Sequence, residues 1–361
     1  MQQTSPGTTA SDTTAIRLTQ YAKGAGCGCK IAPGVLQEIL HSSTSLPADP
    51  ALLVGSGSND DASVYRISDE QALITTTDFF TPIVDDAFHF GQIAAANAIS
   101  DVYAMGGRPL VAIAILGWPV EKLPATLAQQ VMEGARATCL KAGIPLAGGH
   151  SIDITEPVFG LSVNGLVTPA QLKQNNTAQE GDLIFITKPI GAGILATAQK
   201  REQLQPQHYD VLIQQLTQLN DIGAALGTLP GVTAMTDVTG FGLLGHLHEM
   251  AAGSGLSAEI NYAAIPVTEG ARDYAAQRII PDATYRNWNN YNKDVSFAPG
   301  MNVMEAFNLL PDPQTNGGLM IAVNPAAVTA VQTLLKQHGY EQFTEPIGKF
   351  VAKEDKLIKL M

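Results

Sequence analysis

Six aspartates stand in apolar, glycine-rich surroundings: the pair Asp60-Asp61, Asp78 after Thr75-Thr76-Thr77, Asp101, Asp153 at the end of Gly148-Gly149-His150-Ser151-Ile152, and Asp237 in Met235-Thr236-Asp237-Val238-Thr239-Gly240. None has a basic neighbour in sequence. Such carboxylates suit Mg²⁺, a hard cation that binds through a few carboxylates together with substrate phosphates. The chemistry they point to is the handling of a metal-bound nucleotide. A second set is different in kind: Gly24-Ala25-Gly26-Cys27-Gly28-Cys29-Lys30 joins two thiols and a cation in a glycine-rich stretch. Lys30 beside the thiols can stabilise a thiolate or a phosphate, and a mobile loop carrying a reactive thiol suits a lid. The other readings are half of a metal site, a redox Cys-x-Cys pair, or inert cysteines. A zinc site wants two further Cys or His at suitable spacing, and the seven histidines show no such cluster.

These groups need elements to hold them. Segments 72–77, 110–116 and 158–167 read as strands from their β-branched and apolar content, and 90–104 and 125–142 as helices from length and alanine content. Asn97 and Asp101 are four apart in the first helix and so share a face; the alternative for Asp101 is a semi-buried carboxylate that bonds backbone. Asp78 closes a strand, where active groups often sit, and reads equally as a turn or capping residue. Gly148-Gly149-His150-Ser151 offers backbone N–H groups that can approach phosphate oxygens, as well as an ordinary turn. Asp153 is expected to be structural and Asp60 a neighbour of the site.

The polar stretch 169–180 reads as a linker. Beyond it a second set of elements begins with a strand at 182–187 and continues with helices at 194–199 and 209–226, a strand-turn-helix at 232–250, strands at 257–262 and 319–323, and a helix at 326–338. The asparagine-rich segment 287–292 reads as an exposed loop. Lys188 ends a strand and is ambiguous. No Gly-x-x-x-x-Gly-Lys-Ser/Thr motif occurs, so a Walker-type phosphate loop is excluded.

A chain of 361 residues and 38.0 kDa exceeds what one core usually serves. Its net charge of -12 argues against a nucleic acid or an anionic membrane as partner. Its longest apolar stretch, near 110–120, is broken by Gly117 and Pro119 and is too short to span a bilayer. Residues 1–14 are rich in Ser, Thr and Gln without an apolar run, which reads as a disordered arm and not a signal peptide. A cytoplasmic protein is expected. Three cysteines do not make a disulfide framework at this size.

Taken together, the chain resembles the selenophosphate synthetase (selenide, water dikinase) family. The resemblance rests on Leu18-Thr19-Gln20-Tyr21 leading into the Gly24 to Lys30 loop, Asp60-Asp61-Ala62, Thr75-Thr76-Thr77-Asp78-Phe79-Phe80 and Asn97-Ala98-Ile99-Ser100-Asp101-Val102-Tyr103-Ala104-Met105-Gly106-Gly107. It continues through Ala147-Gly148-Gly149-His150-Ser151, Thr187-Lys188-Pro189-Ile190-Gly191, the Met235 to His246 segment and Asp312-Pro313-Gln314-Thr315.

The resemblance implies an α+β protein of two aminoimidazole-ribonucleotide-synthetase-like domains, dimerising through the N-terminal sheets. Its parts would be a disordered arm at 1–17, a glycine-rich catalytic lid at 18–48, an ATP- and Mg²⁺-binding domain at 49–168, a linker at 169–180 and a second domain at 181–361. The implied reaction converts ATP, selenide and water into selenophosphate, AMP and orthophosphate. Asp61, Asp101 and Asp237 would bind Mg²⁺, and Asp78, Asp101 and the Gly149-His150-Ser151 backbone would contact ATP. Lys30 would reach the phosphates, and Cys27, which is selenocysteine in some members, would be the catalytic thiol. A selenium-delivery protein is a candidate partner. The chain departs from the family pattern at Asn316, usually Ser, and at 56–59, which lack a basic residue. The alternatives are another ATP-using kinase or synthetase of the same superfamily, such as thiamine monophosphate kinase, or a non-catalytic selenium or metal carrier.

Overall fold

The structure, a computed structural model, describes residues 16–31, 33–41, 49–55 and 60–361. The 56–59 departure and residues 42–48 of the expected lid lie outside them. After a short helix α1 (Pro33–Leu40), the first half builds strands β1 (Leu52–Val54), β2 (Ser63–Arg66), β3 (Ala72–Phe80), β4 (Arg108–Trp118), β5 (Leu146–Asp153) and β6 (Val158–Val167). They form one sheet in the order β1-β2-β3-β6-β4-β5. Helices α2 (Ala87–Ala104) and α3 (Ala125–Lys141) cover one face. Along β3 and β6 buried and more open positions alternate, the mark of a sheet with one covered face.

α2 begins at Asp86, whose side chain accepts the His89 N–H, a standard N-cap. Its alanines and the fully buried Ile93 and Ile99 make it buried nearly all round. Such a helix has to be packed on several sides, and α2 is wedged between its own sheet and the second half of the chain. That position puts Asn97, Ser100 and Asp101 at the junction.

The second half contains β7 (Leu183–Ile186), β8 (Val232–Asp237), β9 (Leu256–Ile260), β10 (Val295–Phe297), β11 (Leu319–Val323), β12 (Gly348–Ala352) and β13 (Ile358–Leu360), ordered β10-β13-β9-β12-β7-β11-β8. Around them run α4 (Ala192–Lys200), α5 (Pro206–Thr217), α6 (Ile222–Gly227), α7 (Gly242–Ser254), α8 (Ala271–Ala276), α9 (Asp282–Tyr291), α10 (Val303–Leu309) and α11 (Val328–Gln337).

Two sequence expectations need correction. The single helix over 209–226 is two helices, because the chain turns extended at Gln218 and buries Asn220, whose Nδ2 donates to Ser100 Oγ and Gly317 O. The asparagine-rich segment is not an exposed loop: it is the end of α9, and buried Asn287 donates from Nδ2 to the carbonyls of Gly240 and Pro311, both at 2.9 Å. Asn287 there satisfies backbone, a use that composition does not reveal. Lys188 is likewise buried and structural, donating to Gln218 O and Asn316 O at 2.8 and 2.9 Å. Among the described residues no helix is long and apolar enough to cross a membrane.

Candidate active site

Three carboxylates lie near the line where the two halves join, close enough to feel one another's charge. Asp61 lies two residues before β2, Asp101 lies on α2 and Asp237 ends β8. Each is held by a hydroxyl: Thr236 Oγ1 donates to Asp61 Oδ1 at 2.8 Å, Thr76 Oγ1 to Asp101 Oδ2, and Ser100 Oγ to Asp237 Oδ2 at 2.6 Å. Thr236 and Ser100 thus make cross-links between the halves, and neither stood out in sequence.

Burial is the largest influence on all three carboxyls, and each also feels its neighbours' charge. Asp61 is raised well above the usual range by burial, then by Asp237, Asp60 and Asp101. Asp101 is raised by burial, then by Asp237 and Asp78. Asp237 rises to about 6 through burial, restrained by the Ser100 bond and Lys30. Asp60, which accepts the Asn175 N–H at 3.1 Å, is pushed by burial to about 7.

Buried acids that repel one another call for a cation, and the structure gives two observations on that fit. Asp60 Oδ2 and Asp61 Oδ2 are buried without a hydrogen-bond partner, and an ionised carboxylate can only accept. Yet among the described residues no three His, Cys, Asp or Glu side chains converge as a ready metal site. This donor set fits Mg²⁺ of the kind that takes one or two carboxylates and completes its shell with phosphates and water.

The thiol loop docks against this cluster. The Gly26–Cys29 turn places Cys27 in the interior at 1% exposure. Gly26 is required there: its φ is +52°, and a Cβ would come within 2.4 Å of Thr315 Oγ1. Cys27 N–H donates to Thr315 Oγ1 at 2.9 Å and Cys27 Sγ to Asn97 Oδ1 at 3.3 Å. Asn97 is the hub: its Oδ1 also accepts the Asn316 N–H at 2.7 Å, and its Nδ2 donates to Asp78 Oδ2.

The departure at Asn316 has a physical reason. The residue has a φ of +47°, which Asn tolerates better than Ser, and its Nδ2 satisfies the carbonyls of Leu216 and Gln218.

Lys30 keeps an exposed surface, while its ammonium is held protonated first by Asp78 and then by Cys27, Asp101 and Asp237. Here the structure differs from the expectation of a Lys30-stabilised thiolate. Burial and the Asp78 charge push the Cys27 thiol far up and outweigh Lys30, so in this state Cys27 is a protonated thiol. Cations of the second half anchor the loop: Lys200 Nζ donates to the carbonyls of Ala22, Lys23 and Gly24 at 2.8, 3.0 and 3.1 Å, and Arg286 Nη2 to Gly28 O at 2.8 Å.

Gly149, His150 and Ser151 are elsewhere. They lie on β5, an edge strand exposed along almost its whole length, and not in a phosphate-cradling turn. Asp78 pairs with Leu161, Leu161 with Ala114 and Ala114 with Gly149. Gly149 is therefore three strands from Asp78, roughly 14 Å at the usual strand spacing. Asp153 ends the same strand and accepts the Val120 N–H at 3.4 Å.

Known proteins show the same plan. The AIR synthase related protein N-terminal domain matches residues 59–167 and the corresponding C-terminal domain residues 179–359. The chain is 53% identical over 342 residues to the selenide, water dikinase of Yersinia pseudotuberculosis, covering 95% of this chain and 97% of that one. It is 52% identical over 349 residues to the selenide, water dikinase of Colwellia psychrerythraea, covering 96% and 99%. Among solved structures, a thiamine-monophosphate kinase from Stenotrophomonas maltophilia aligns at 20% identity with a TM-score of 0.62, covering 86% of this chain and 91% of that one. The hydrogenase maturation protein HypE in complex with ATP aligns at 17% identity and a TM-score of 0.62, covering 86% of each. These two likenesses are of fold alone. With sequence identity above one half along nearly its full length, the chain belongs to the selenide, water dikinase family.

Proposed function

We propose that this protein makes selenophosphate from ATP, selenide and water, releasing AMP and orthophosphate. The observation that carries the reading is the enclosure of a thiol within the carboxylate site: Asn97 joins Cys27 to Asp78 while Lys30 faces Asp78, Asp101 and Asp237. A plain kinase of this fold has no need of that thiol.

Asp61, Asp101 and Asp237 are the residues that hold Mg²⁺, which when bound neutralises the triphosphate charge that bare carboxylates would repel. Lys30 binds the phosphates beside Asp78. Phosphoryl transfer asks the protein mainly for positioning and charge stabilisation, and Lys30 and the Asn97-oriented Asp78 supply these. Cys27 sits where selenium must arrive, and the loop that carries it keeps bulk water from the first phosphoryl group. The ADP-like intermediate then stays in place until water has taken its β-phosphate.

The protein is expected to act in the cytoplasm as a homodimer through the N-terminal sheets. Support for the dimer comes from Phe79, Ile113 and Ile152, each about half exposed on that sheet. The exposed edge position of β5 favours assigning the nucleotide contacts of Gly149, His150 and Ser151 to that dimer. A selenium-delivery protein remains a proposed partner.

Phosphorus NMR of a reaction holding ATP, Mg²⁺ and selenide tests the reading. AMP, orthophosphate and selenophosphate in equal amounts are expected; ADP as the end product would make the protein a simple kinase, and no turnover would make it a carrier.

A further inference from the structure

The thiol loop forms one wall of a cavity of about 780 Å³. Its lining contains none of Asp60, Asp61, Asp78, Asp101 or Asp237. Five cations face it instead: Lys23, Lys30, Lys200, Arg201 and Arg286. Against them, among the described residues, stand two acids, Glu156 and Asp282. In a chain of net charge -12 this is a local reversal of sign, and a concave site lined by one sign of charge concentrates the opposite ion.

The cavity shares two residues with the site and has a chemical marker on its wall. Lys30 and Thr315 line it, and the same two residues face Asp78 and hold the Cys27 amide. Cys29 also lines it and is exposed, whereas Cys27 and Cys139 are buried. A Mg²⁺-loaded triphosphate carries its own cations and is matched to the acids, so the cationic side suits an anion that arrives without metal. Under the proposed reaction that anion is the selenium substrate.

We infer that this cavity is the access and holding site for a small selenium anion, which it delivers past Lys30 to the nucleotide bound on the acidic side. The inference rests on the proposed reaction for the identity of its ligand. The space is ample for a hydrated hydroselenide ion, a compact selenium-centred anion.

The test is the double variant Lys23→Glu/Arg201→Glu, with Lys23→Gln/Arg201→Gln as a milder version should the first fold poorly. Both residues are exposed. The KM for selenide should rise about tenfold or more, with the KM for ATP and kcat within about twofold of the parent.

A second measurement needs no turnover. Cys29 is alkylated with anionic iodoacetate and with neutral iodoacetamide, and modification at that residue is followed by mass spectrometry. The iodoacetate-to-iodoacetamide rate ratio should exceed that of a Gly-Cys-Gly peptide and drop in the double variant. A ratio equal to the peptide's, an unchanged selenide KM, or a rise in the ATP KM instead would overturn the inference. A normal ratio effect in a protein that makes no selenophosphate would leave the anion site standing and remove the reaction.

Discussion

Asn97 is the residue on which the thiol site turns, and Asn97→Ala is its sharpest test. The substitution removes one acceptor that serves two donors, Cys27 Sγ and the Asn316 N–H, and one donor to Asp78. The Asn316 amide is fully buried and keeps no partner, at a cost of about 1–3 kcal/mol. Asp78 is only half-buried, so water replaces most of its lost bond. The sulfur bond is weak. The stability loss should therefore be about 2 kcal/mol, read as a shift in the urea midpoint with unchanged m-value.

The kinetic consequence is larger, because Cys27 and Asp78 both lose their orientation, and misplacement on the scale of 1 Å costs on the order of 10²-fold. Selenide-dependent turnover should drop accordingly while ATP binding changes little. Asn97→Asp keeps the acceptor but replaces the donor to Asp78 with a second buried charge, and should recover neither the stability nor the turnover. The reasoning is refuted if Asn97→Ala loses less than about 0.5 kcal/mol and keeps turnover within about twofold of the parent.

Three further outcomes follow from the same geometry. Lys30→Ala should lower turnover by about 10²-fold, the usual effect of deleting one charge-stabilising group from a shielded site; steady-state rates near those of the parent would remove its phosphate role. Asp237→Asn should stabilise the unliganded protein at pH 8 by on the order of 1 kcal/mol, since a repelling buried carboxylate is gone, and should shrink the rise in melting temperature given by Mg²⁺ with ATP; an undiminished rise would separate Asp237 from the metal. His246 accepts the Thr239 N–H on Nε2 at 3.0 Å, and burial, then the Lys30 charge, lowers it to about 3. A depressed folded value means that the unfolded chain takes up the proton first, so stability is lost as pH falls below about 6.5, by about 2 kcal/mol at pH 5. His246→Gln should remove that part of the pH dependence, and urea curves at pH 8 and pH 5 that shift in parallel for parent and variant would contradict the assignment.

How much of this was legible in sequence depended on how local the governing interaction is. β6 reads directly from Val158 to Val167, because strand content and alternation are properties of the segment itself. α2 is equally plain, and the shared face of Asn97 and Asp101 follows from helix geometry. Asn97 gave no sign of being a hub, since its partner Asn316 is 219 positions away. Gly149, His150 and Ser151 show the limit of a local signal: it suggests a phosphate loop, and sheet register places them on an exposed edge strand. Cys27 and Lys30 look in sequence like a thiolate and its counter-ion. Burial and Asp78, which only the fold brings near, decide instead for the thiol.

The division of the site between the two halves explains why the loop is anchored as it is. Asp61 and Asp101 belong to the first half and Asp237 to the second, so the repulsion among them acts across the junction. Under the proposed function, Mg²⁺ bound together with triphosphate would offset that repulsion. The thiol loop comes early in the chain but is held by Lys200, Arg286 and Thr315 of the second half. The loop is also tied to the first half, by the Gly26 N–H to Thr81 O at 3.1 Å and by Cys27 Sγ to Asn97 Oδ1 at 3.3 Å, so it clasps the junction from both sides. The thiol is therefore placed beside Asn97 and Asp78 by the joining of the two halves.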